Sequence, residues 1–246
     1  MSMQLYPGFL VINYPQPLCS DLRKKDAATI SMSIGLAFAL LLLLNSMGAA
    51  FAQIPVSPNK LDSKGERVGT WTILFDKDMK TIENPDSAAF YSVMTFKGGK
   101  IVGTSRSFFR SGKKMSEISY ENGLVVGTVV GWYESGGKEF ETPYKNGLPD
   151  GKETIWFPSG KKRTEVNYKQ GREEGVQTEW YPGGSKKSEI SYKKGVIDGK
   201  AVRWYESGAL QTEMSYKAGK LHGKRIDWLE NGEIKSETRY ENGKKL

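Results

Sequence analysis

Six glutamates recur at a fixed interval of 24 residues: Glu117, Glu141, Glu165, Glu189, Glu213 and Glu237. A row of carboxylates can collect cations or a basic partner, but acid–base catalysis needs two such groups converging on one reacting atom. If each repeat adds two strands, the row is spaced by about 10 Å, and cross-strand pairing with neighbouring Lys and Arg is its favoured use. His222, the only histidine, fills a slot before a repeated glycine that elsewhere holds Val126, Asp150, Glu174 or Asp198. A slot so tolerant reads as a solvated turn. A metal site needs several convergent ligands, and the single cysteine, Cys19, lies far from the repeats. Asp150-Gly151 and Asp198-Gly199 lack the dense acidic spacing of a calcium loop. No catalytic residue, metal site, cofactor or small-molecule substrate is therefore expected.

The elements that must position these residues share their period. Tyr120, Tyr144, Tyr168, Tyr192, Tyr216 and Tyr240 hold it, as do Trp132, Trp156, Trp180, Trp204 and Trp228, together with Gly127, Gly151, Gly175, Gly199 and Gly223. A period in the range of about 20 to 50 residues marks one supersecondary unit stacked on copies of itself. Within Gly151 to Gly175, Gly-Lys-Glu-Thr-Ile-Trp-Phe is a strand, Pro158-Ser159-Gly160-Lys161 a turn, and Lys162 to Tyr168 a second strand. Asn122-Gly123, Asn146-Gly147 and Asn242-Gly243 then turn the chain into the next unit, since both residues accept positive φ. The expected fold is all-β: tandem β-hairpins forming an elongated, twisted antiparallel meander of six repeats, roughly 60 Å long.

Period-two geometry places Val130, Thr154, Thr178, Val202 and Ile226 on the Trp face. The same reading puts Ile118, Thr142, Val166, Ile190, Met214 and Thr238 on the Tyr face, treats Trp and Tyr as sharing one face, and gives the opposite, wet face to the glutamates. The Trp/Tyr stripe then serves as packing or as a partly exposed binding surface. Tyr133, Phe157, Tyr181 and Tyr205, beside the hairpin turns, are candidate binding residues, as is the glutamate row.

The chain divides into an N-terminal extension with a signal peptide (1–52), a linker (53–68), a degenerate capping repeat (69–103) and the array (104–246). Arg23, Lys24 and Lys25, the apolar run Ile34 to Leu44, and Ala50-Phe51-Ala52 have a signal-peptide layout, with cleavage expected near Ala52 and export to the periplasm, envelope or medium. The run is too short for a membrane-spanning helix. The mixed stretch before Leu22 points to a start further along the chain. In the cap, Gly69 to Phe75 aligns with Gly127 to Tyr133, and about ten residues around Glu83-Asn84-Pro85-Asp86 are inserted.

The net charge of +8 suits acidic partners or an anionic membrane surface, and also plain solubility. Interleaved glutamates dilute any basic groove, so nucleic acid is not an expected ligand. The Tyr144 to Glu165 pattern, Tyr-Lys-Asn-Gly followed by Gly-Lys, Trp-Phe, Gly-Lys-Lys and a glutamate, resembles the bacterial variant of the MORN repeat, as in YwqK-family antitoxins of toxin–antitoxin systems. The resemblance implies β-hairpin repeats, no catalysis and binding to a protein or to membrane lipid. A protein partner is the first expectation, with antitoxin-like or immunity-like neutralisation as its specific form, and the membrane surface the second.

Overall fold

The computed structural model describes strand backbone at Ser2–Tyr6 and Phe9–Asn13, and then residues 53 to 246. The signal-peptide and start-site readings concern residues up to 52 and lie outside the described part of the array. Among the described residues no helix is long and apolar enough to cross a membrane.

The body is a single open antiparallel meander of 19 strands. Each unit is a hairpin, exemplified by Gly151–Trp156 against Lys162–Lys169, with pairs Gly151↔Tyr168, Glu153↔Val166 and Ile155↔Thr164. The loop closes by Phe157 N–H to Lys161 O and Gly160 N–H to Phe157 O, 2.8 Å each. Gly160 there has φ 82°. A three-residue loop ending in a left-handed residue leaves one residue extra on the return strand. The register accordingly slips between Ile155/Thr164 and Trp156/Lys162, bulging out Arg163. The same slip follows Glu179, Arg203 and Asp227 in later units.

The connections between units are two-residue turns with both φ positive, such as Asn146 at 52° and Gly147 at 79°. Gln170, Lys194 and Ala218 adopt the same left-handed conformation in place of asparagine. Each turn is tied to the preceding unit, as by Gly171 N–H to Pro149 O at 2.8 Å.

These registers correct the assignment of faces. Glu141 pairs with Val130 and Thr154, Glu165 with Thr154 and Thr178, and Glu213 with Val202 and Ile226. Directly paired residues project to the same side of a sheet. The Trp series and its i−2 neighbours therefore share the glutamate face, and Trp and Tyr lie on opposite sides. Alternation along each strand is as expected; the bulged residue at the loop reverses how the two strands of a hairpin correspond.

The Tyr side is the inner one. Ile118, Tyr120, Val125, Val129, Phe140, Tyr144 and Ile155 form its core cluster. Toward the cap, Met94, Phe96 and Tyr91 are also buried, the last stacked on Phe108 with ring centroids 5.0 Å apart. In the first unit Arg67–Phe75 pairs along its length with Phe90–Lys97. The inserted residues between them carry a short strand at Thr81–Ile82 and a 3₁₀ turn at Pro85–Ser87 capped by the Asn84 side chain. Residues ahead of this strand lie against it: Ser57 Oγ meets Thr72 Oγ1 at 2.7 Å, and Lys60–Leu61 pairs with Arg67–Val68.

Candidate functional site

On the outer face each glutamate is held by lysine. Lys138 reaches Glu141 at 2.7 Å, Lys162 and Lys152 reach Glu165 at 2.7 and 3.2 Å, Lys186 reaches Glu189 at 2.6 Å, Lys200 reaches Glu213 at 3.0 Å and Lys224 reaches Glu237 at 2.7 Å. Glu117 is shared by Lys114 and Arg106. The hydrogen bond from Lys114 holds the Glu117 carboxyl below its ordinary value, and those from Lys162 and Lys152 outweigh burial to do the same for Glu165. The lysines also lie over the tryptophan of the following unit: Lys114 over Trp132 at 4.9 Å, Lys138 over Trp156 at 5.2 Å, Lys162 over Trp180 and Lys186 over Trp204 at 5.9 Å. Carboxylate, ammonium and indole thus form one continuous stabilising ribbon, with half-buried rings.

The turn aromatics bind the chain to itself. The hydroxyls of Tyr133, Tyr181 and Tyr205 donate to the carbonyls of Trp156, Trp204 and Trp228 at 2.6, 2.8 and 2.9 Å, each linking one unit to the next. Phe157 occupies the same place without a hydroxyl.

The inner face changes character along the array. The row Val129, Glu153, Gln177, Ala201, Arg225 and the row Gly131, Ile155, Glu179, Arg203, Asp227 begin apolar and end polar. Glu153 is fully buried; its Oε2 accepts from Thr142 Oγ1 at 2.7 Å and its Oε1 has no partner. Burial pushes its carboxyl up, and Glu173 adds to this. Burial also raises Tyr120 to about 12 and lifts Tyr144 and Tyr168 further, the latter two with a contribution from Glu153. Beyond Tyr168 the inner face becomes mixed: Ser188, Ala201, Thr212 and Met214 stay buried, Gln177, Glu179, Tyr192 and Tyr216 are half-buried, and Arg203 is exposed. Arg225 and Asp227 form a fork at 2.9 to 3.3 Å that Thr212 and Ser236 complete.

The slot ahead of the repeat glycine has a definite use in three units. Asp150, Glu174 and Asp198 accept hydrogen bonds from the backbone N–H of Gln170, Lys194 and Ala218 at 3.2, 2.8 and 3.2 Å, each capping the turn of the next unit. Among the described residues no three His, Cys, Asp or Glu side chains are placed to hold a metal ion.

Sequence reasoning missed Glu153, because it follows no repeated series, and the basic character of the turn edge. The latter was readable in Lys145, Lys169, Lys193 and Lys217, four lysines at the common period.

With this geometry in place, the MORN repeat variant model matches residues 101–122, 149–170, 173–194, 197–218 and 221–244. These segments are similar to that repeat. The hairpin between the first two matches has the same backbone but unusual contents: at Gly131 a Cβ would lie 2.1 Å from the Phe140 ring, so the large and small partners of Ile155↔Thr164 are exchanged. No curated protein matches the chain.

Proposed function

We propose that this chain is an exported, non-enzymatic repeat scaffold that binds a protein partner, with antitoxin-like or immunity-like neutralisation as the specific form of that role. MORN repeats are generally binding modules, which supports the coarse reading. The observation that carries it furthest is the inner face beyond Tyr168, where Glu179 and Arg203 flank Ser188, Tyr192 lies further along the same strand, and Arg203 is exposed while Glu179 and Tyr192 are half-buried, although the hairpins on either side are complete. Charged and aromatic side chains left partly exposed beside a closed sheet are the composition of a protein interface. Cross-linking of the processed protein in an envelope fraction of the native host, followed by identification of the bound chain, tests this. Recovery of one stoichiometric partner is expected, and a processed protein that captures none refutes the reading.

A second reading, a peripheral module on anionic lipid, draws support from Leu124, Leu148 and Val196, which stand 51%, 49% and 44% exposed beside the lysines of the turn edge. Salt separates the two, since headgroup attraction fades steeply with ionic strength and an interface with an apolar centre does not.

A further inference from the structure

Charges that alternate in the sequence are sorted by the fold. The outer-face lysines pair with glutamates, whereas the turn edge collects cations that do not. Lys145, Lys169, Lys193 and Lys217 occupy one equivalent position in four successive units, all exposed, spaced by about 10 Å. Lys169 is directly opposite Arg172, and Lys217 opposite Lys220. Like charges placed directly across a ladder destabilise it, so these pairs work against the fold. Such local conflicts are expected where function imposes them.

Between the turns runs a groove of about 790 Å³ lined by Lys145, Lys169, Arg172 and Lys194 together with Leu148. Among the described residues none of these four cations forms an ion pair. The two carboxylates in the groove, Asp150 and Glu174, are engaged by the backbone N–H groups of Gln170 and Lys194. We infer that this groove seats an acidic peptide of the protein partner in the extended polyproline-II conformation, with carboxylates at every third residue and apolar side chains between them against Leu148. Three residues of such a chain make one turn, advance about 9 Å and return to the same side, close to the step of the lysine row. The recess favours a single chain over a membrane, which meets a protein across a broad surface. The inference rests on the protein-binding reading and gives it a site.

The test uses the purified protein and a labelled peptide of about twelve residues carrying glutamate at every third position, followed by fluorescence anisotropy. A peptide of identical composition with its glutamates in one block is the comparison. The spaced peptide should bind about tenfold more tightly, and Lys169→Gln with Arg172→Gln should remove that preference while leaving the melting temperature unchanged or raised. Lys77→Gln with Lys80→Gln, which removes the same charge from the inserted segment, should leave binding intact. Equal affinity for the two peptides overturns the inference, as does equal weakening by the two double variants. Retention on phosphatidylserine vesicles at physiological salt without peptide binding overturns it in favour of the membrane. If the partner captured by the intact protein is also captured by Lys169→Glu with Arg172→Glu, the groove is refuted and the scaffold reading stands.

Discussion

Glu153 is the residue whose environment departs most from its repeat position. Elsewhere that position holds valine, glutamine, alanine or arginine; here a carboxyl is buried with one oxygen bonded to Thr142 and the other unpartnered. An unpaired buried oxygen is costly, and the cost grows if the group ionises. Because burial raises the folded-state value above the unfolded one, the folded protein binds this proton more tightly. Stability from this group is complete below the ordinary carboxylate value, falls as pH rises toward the raised value, and then levels off. Glu117 and Glu165 are lowered and act in the opposite sense, losing their contribution as pH falls. Urea titrations of wild type and Glu153→Gln between about pH 4 and pH 7 isolate the first term. The substitution should gain stability relative to wild type as pH rises, and a constant difference would show that Glu153 does not titrate in this range. Tyr205→Phe, also at the scale of one side chain, removes the hydrogen bond to Trp228 O. It should cost about 0.5 to 1.5 kcal/mol in the same titration, and Phe157 shows that the hairpin forms without that hydroxyl.

Within an element, the tryptophans act from the outer face. Each ring is half-buried; Trp132, Trp156, Trp180 and Trp204 are covered on one side by the lysine of the preceding unit, whereas the equivalent position ahead of Trp228 is Leu210. Trp180→Ala should therefore cost less than the about 3 to 5 kcal/mol typical of a fully buried aromatic. It should still exceed Trp228→Ala, because Trp180 has both neighbouring units complete. Calorimetric melting of the two variants decides this, and equal shifts would show that the ribbon does not couple units. Tight turns, strands and the repeat boundary were legible in Pro158-Ser159-Gly160 and Asn146-Gly147, because those residue types specify backbone conformation locally. Relating one strand's faces to the other's requires the loop's residue count and its bulge at Arg163, and there the reading of Trp and Tyr as one stripe failed. The cross-strand pairs of Lys152, Lys200 and Lys224 with Glu165, Glu213 and Glu237 were legible from spacing; those three residues apart on one strand, such as Lys138 with Glu141, were not, because they depend on the bulge between them. The groove at the turn edge was not, because it is assembled from three turns whose cations alternate with acids along the chain.

For the whole molecule, identical backbones hide unequal units. Stacked repeats exchange neighbours when one is removed, so a 24-residue deletion should be judged by the inner-face residues it brings together. Removing Gly151 to Glu174 joins Asp150 to Gly175 and sets Gln177 against Thr142 and Glu179 against Phe140, placing the Glu179 carboxylate, with its Lys187 and Gln177 partners, in the core cluster where Ile155 had been. Removing Gly175 to Asp198 joins Glu174 to Gly199 and sets Ala201 against Val166 and Arg203 against Thr164, where the inner face is already partly polar and half-buried. Both preserve the turn that precedes the glycine, but only the second preserves the core. The second deletion should therefore keep the β-sheet circular dichroism signal and a cooperative melt near wild type, while the first melts at a distinctly lower temperature. Removing one residue fewer, Gly175 to Ile197, reverses the faces of everything downstream, sending Tyr216 outward and Trp204 inward, and should abolish the cooperative transition. Indistinguishable melts for the two 24-residue deletions would mean that the apolar-to-polar change along the inner face has no energetic weight, and a cooperative melt for the 23-residue deletion would refute the register itself.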